Sequence, residues 1–103
     1  MEIDISKGME VGCFNYKVIV NKETDKDLES RSRFGEHHNL SKELRIASNH
    51  SPQQFTNTFL HETMEAINAE YCNGNLKHDY ITNIANGLTQ VMKSLDIEFT
   101  YKE

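Results

Sequence analysis

Long apolar runs are missing from this chain. No stretch approaches the roughly 18 apolar residues that a membrane span requires, so no membrane partner is expected. Excess positive charge is missing too: 11 basic residues face 16 acidic ones, a formal charge of −5. The small group Arg31, Arg33, Lys42 and Arg45 reads as a solvated strand surface rather than the basic stripe of a nucleic-acid binder. Cysteine is scarce. Cys13 and Cys72 stand far apart and form no C-x-x-C pair, and the first residues, MEIDISKGME, lack the basic start and apolar run of a signal peptide. Two such cysteines are expected to stay reduced in the cytoplasm. Repeats, low-complexity tracts and linkers are absent as well, so residues 1–103 are read as one domain. The totals, 37% hydrophobic and 26% charged, fit a chain that folds around a modest core.

What is present falls into strands first and helices later. CFNYKVIVN (13–21) mixes aromatic and β-branched residues and reads as a strand. KETDKDLES (22–30), charged throughout, reads as a surface connection. RFGEHHN and KELRIAS, separated by a polar turn near residues 39–41, read as a hairpin, because Leu44 and Ile46 alternate with polar neighbours. Glu36 and His37 are expected to be exposed on it, and His37 and His38 to point to opposite faces. His50 precedes a helix start and is expected to be exposed.

Ser51 is a suitable N-cap, Pro52 suits the first helical position, and Gln54 can complete a capping box, which starts a helix at Pro52. It should run to Tyr71 and end at Asn73-Gly74. A second helix follows Asn75, with Ile81, Ile84, Ala85, Leu88, Val91, Met92 and Leu95 repeating at the helical period. IEFTY at the end suggests a short strand. The expected fold is α+β: a small antiparallel sheet of about three strands packed on two antiparallel helices.

The first helix carries the chemistry. At 100° per residue, Leu60, Met64, Ile67 and Tyr71 form one apolar stripe, and Phe55, Phe59 and Ala66 form another beside it. The helix should therefore be buried on most sides, leaving a narrow polar arc of His61, Glu62, Glu65 and Asn68. Charged groups on such a helix need partners, because desolvating them unpaired is costly. His61 and Glu65, one turn apart, can converge on one ion, with Glu62 flanking it as the residue that takes a proton in H-E-x-x-H hydrolases. Glu65 stands where that motif has its second histidine. Cys72 lies too far along the axis to share the ion. His78, on the stripe of the second helix, is placed to supply a third ligand, giving the two-histidine, one-carboxylate composition of catalytic zinc sites. The plainer readings are a surface ion pair between His61 and Glu65 and a packed core histidine at His78.

The run SPQQFTNTFLHETMEAINAEY, followed by LKHDYITNIANGLTQVMKSL, resembles a family of small phage and prophage proteins of the zincin kind, minimal relatives of the ImmA/IrrE-type metallopeptidases. The resemblance covers about residues 33–95 and rests on the S-P-Q helix start, L-H-E before E-A-I-N, the later L-x-H and a closing G-L-x-Q-V. It implies that His61, Glu65 and His78 bind Zn2+, that Glu62 is the catalytic general base, and that a substrate protein or peptide aligns along the KELRIAS strand by β-augmentation. A carboxylate in place of a histidine leaves the ion a weaker Lewis acid. The reading is therefore a zinc-dependent peptidase of phage or prophage origin, with a non-catalytic zinc-binding or protein-binding module of the same fold as the alternative.

Overall fold

The computed structural model describes residues 1–102, in the order β1 (Glu2–Asp4), β2 (Met9–Val11), β3 (Phe14–Ile19), α1 (Lys22–Ser30), β4 (Gly35–His38), β5 (Glu43–Ile46), α2 (Pro52–Tyr71), α3 (His78–Ser94) and β6 (Glu98–Thr100). The class is α+β, but the architecture differs from the expected one in three respects. Among the described residues there are three helices rather than two. The main sheet has four strands in the order β2-β3-β5-β4 and is mixed, because β3 and β5 run parallel. A separate two-stranded parallel sheet joins β1 to β6.

The extra helix is the charged segment read as a surface connection. Asn21 caps it by accepting from the Thr24 amide at 2.8 Å, and Glu23 and Asp25 complement the positive end of its dipole. Only Thr24 and Leu28, one turn apart, turn inward; Leu28 is fully buried and the rest meets solvent. A single turn-spaced pair is too little periodicity to announce a helix. Its presence changes the sheet. The crossover through α1 lets β5 pair with β3, so β5 is interior and β4 becomes the open edge. The KELRIAS strand is thus not the edge strand that the family resemblance implied.

The core unites Tyr16, Val18, Leu44 and Ile46 of the main sheet with Phe59, Leu60 and Ala66 of α2 and Ala85 of α3. Helix α2 starts and stops at the expected residues. The Ser51 hydroxyl accepts from the Gln54 amide at 3.1 Å, while the Gln54 side chain donates to Thr58 instead of closing a capping box. Asn73 and Gly74, both left-handed at φ 53° and 71°, end the helix. Among the described residues, no helix is long and apolar enough to cross a membrane, and both cysteines are free.

One close approach sets the distance between sheet and helix. A Cβ on Gly35 would stand 2.5 Å from Thr58 Cγ2, 3.0 Å from the Arg45 carbonyl oxygen and 3.2 Å from Glu62 Cγ. β4 therefore lies directly over the Thr58–Glu62 turn of α2. Gly35→Ala is expected to cost about 1–3 kcal/mol through overpacking, measured by urea denaturation; an unchanged midpoint would show that the strand and helix can separate freely.

Candidate metal centre

Helix α2 has a different orientation from the one its stripes suggested. Ile67 and Tyr71, read as core, are 39% and 67% exposed, whereas Glu62 and Asn68 of the polar arc are 9% and 7% exposed. The arc faces the sheet edge and the start of α3 rather than open water. There it forms one wall of a cleft of about 450 Å³, with Arg33, Gly35, Glu36 and His37 opposite and His78 at one end.

His61, Glu65 and His78 come together in this cleft: one ligand atom from each lies within 4.8 Å of the other two, so the group could hold a metal ion. Glu65 Oε2 stands 3.7 Å from His61 Nε2 and 3.4 Å from His78 Nδ1. These separations are long for hydrogen bonds. They match the roughly 3.4 Å expected between donors set about 2.1 Å from one tetrahedral ion. Burial holds the pKa of His61 below its usual value, with Glu65 opposing and His78 assisting. Burial thus favours the form of His61 whose lone pair can serve an ion. His78 is not a packed core histidine: at the first position of α3 its side chain is 69% exposed.

Glu62 lines the same cleft. Burial, and secondarily the Glu65 carboxylate, push its carboxyl up to about 8, with Arg33 opposing. A bound cation would favour the ionised form and reverse part of that shift.

Asn68 was legible as a polar residue on a buried helix, but its task was not. Its side-chain carbonyl accepts from the Leu76 amide at 2.9 Å and its Nδ2 donates to the Leu76 carbonyl at 3.2 Å. This double clamp fixes the chain two residues before His78 and so sets where that imidazole arrives. Asn68→Leu is expected to lower metal affinity about 10-fold or more, as loss of outer-shell support does elsewhere. Titration with zinc against a chromophoric competitor would measure this; an unchanged affinity would show that α3 positions His78 without the clamp.

Glu36 and His37 are half-buried, not exposed. The Arg31 guanidinium, and then His38, hold the Glu36 carboxyl down at about 2 against the cost of its burial. His37 turns to the opposite side, where its ring stacks on Tyr16 and its Nε2 lies 3.3 Å from the Tyr16 hydroxyl. That hydroxyl donates to Glu70 Oε2 at 2.6 Å, so the His37 Nε2–H must donate to it. Lys42 donates to the same Glu70 oxygen at 2.6 Å. His37 is thus anchored beside the cleft by a network that spans β3, the β4–β5 turn and the end of α2. His38 pairs with Glu36 instead, and His50 is exposed as expected, edge-on to Phe34.

Comparison with family models, with curated proteins and with solved structures gives no match to this chain.

Proposed function

We propose that the protein is a zinc-dependent peptidase of the zincin kind. The observation that carries the reading is the convergence of His61, Glu65 and His78 in a cleft that also contains the buried carboxyl of Glu62. His61 and His78 would hold Zn2+ through ring nitrogens and Glu65 through a carboxylate oxygen. When bound, the ion supplies a Lewis acid and a water whose pKa is lowered toward neutrality. Glu62 would accept a proton at a carboxylate oxygen and return it to the departing amine, the work of a general base that becomes a general acid.

The strand edge gives the cleft a direction. Phe34 accepts from the Ala47 amide at 2.9 Å, and Gly35 lies opposite Ile46. Antiparallel pairs alternate, so the backbone N–H and C=O of Gly35 and His37 point away from β5 toward the open side. An extended peptide added at β4 would run past Glu62 and the three ligands. The edge strand in this proposal is β4, next to the cleft. The variant residue Glu65, which leaves the ion less electrophilic, and the exposure of His78 favour a second reading, a zinc-binding module that recognises a protein without cleaving it. Incubation of the zinc-loaded protein with a mixed peptide library, read by mass spectrometry, separates the two; intact peptides alongside stoichiometric zinc support the second.

A further inference from the structure

Helix α3 has an apolar stripe that the core does not use. Ile81, Ala85 and Thr89 are buried, while Tyr80, Ile84, Val91 and Leu95 are 59%, 47%, 49% and 63% exposed. With 100° per residue these four and Gly87 fall within an arc of about 80° and run about 22 Å along the helix. Among the described residues, none closes over this stripe, and each of the four leaves roughly half or more of its surface open.

Gly87 supplies a second, independent observation. A Cβ placed there would meet nothing within 4 Å, so no contact among the described residues requires glycine in the middle of this helix. Glycine costs a helix interior about 1 kcal/mol relative to alanine. A glycine on an apolar stripe, with open space above it, fits the close approach of another backbone.

We propose that this stripe is a two-fold interface with a second copy of the same chain, α3 packing antiparallel on α3 across Gly87. The spacing is self-complementary. Antiparallel helices related by an axis between Gly87 and Leu88 place Tyr80 opposite the partner's Leu95 and Ile84 opposite the partner's Val91. Both pairs share that centre, as an isologous contact demands. Charge agrees as well. In a chain with a formal charge of −5, α3 holds one acidic residue, Asp79, and one basic residue, Lys93, near opposite ends and off the stripe. Both lie more than about 100° from the centre of the stripe, so two copies would meet across uncharged surface without like-charge repulsion, and antiparallel packing opposes the two helix dipoles. Asn83, Gln90 and Ser94 border the stripe without charge, the composition of an interface core and its polar edge. The contact is independent of the metal centre.

A contact made by a single helix pair belongs with small, transient interfaces, and a dissociation constant on the order of micromolar is expected. Sedimentation velocity of the full chain from about 5 to 500 µM, a range chosen to span that affinity, is expected to show a monomer passing to a dimer. Val91→Glu should weaken association by about 100-fold, because it would desolvate a charge at the contact. Gly87→Gln should do the same while raising the thermal midpoint of the dilute monomer, since it replaces the poorer helix former. This variant distinguishes lost association from lost folding. A chain that stays monomeric throughout leaves the stripe to a different protein and overturns the proposal. A dimer indifferent to Val91→Glu overturns it as well, and one indifferent to Gly87→Gln overturns the two-fold at Gly87.

Discussion

Replacing Glu62 by glutamine is expected to reduce peptide hydrolysis by about 10²–10⁴-fold while leaving zinc bound in a 1:1 ratio. The magnitude is that of a single general acid–base group. Glutamine keeps the shape of the side chain and removes its proton-accepting oxygen. It should also be well tolerated by the fold, since burial already favours the uncharged form of Glu62. Activity and metal content therefore separate at this position, whereas they fall together at His61, Glu65 or His78. The measurement pairs turnover of a cleaved peptide with elemental analysis of the same sample. Full turnover in Glu62→Gln would remove Glu62 from the chemistry, and zinc loss in the variant would make it a ligand.

The second large effect is on stability. An ion that binds only the folded chain raises stability by RT ln(1 + [L]/Kd), about 4 kcal/mol when free zinc exceeds Kd 1,000-fold. For a domain of this size each kcal/mol moves the thermal midpoint by about 4–8 °C. Zinc should therefore raise the midpoint of chelator-treated protein by about 15 °C or more. His61→Ala should abolish that rise, and so should Glu65→Ala. His61 and Glu65 come from α2 and His78 from the first residue of α3, so one ion would add a link at the open end of a helix pair that core packing of Ala85, the Asn57 hydrogen bonds to Asn86 and Thr89, and the Asn68 clamp already join. A midpoint unchanged by zinc would leave the cluster as an ordinary polar cleft and would falsify the metal reading.

The comparison of sequence and structure turns on how local each signal is. Helix α2 was legible to the residue, because Ser51, Pro52 and the Asn73-Gly74 terminator act on their own few neighbours. The hairpin of β4 and β5 was legible for the same reason. The strands β1 and β2 are three residues each, too short for alternation to register, and β1 exists only because β6 returns to lie beside it. α1 was hidden by its single turn-spaced inward pair, Thr24 and Leu28. On α3, Ile84, Val91 and Leu95 followed the helical period as well as Ile81 and Ala85 did, and only packing separates the covered residues from the uncovered ones.

The candidate site divides along the same line. The sequence by itself determined that His61 and Glu65 share a helix face, because i and i+4 positions must stack. It also determined where that helix begins and ends. Only the tertiary structure decided that Glu62 and Asn68 turn inward while Ile67 and Tyr71 turn out, since both orientations satisfy the same stripes and the choice depends on what packs alongside. It also decided that β4 rather than β5 borders the cleft. A hairpin can dock by either strand, and the crossover through α1 brought β5 against β3.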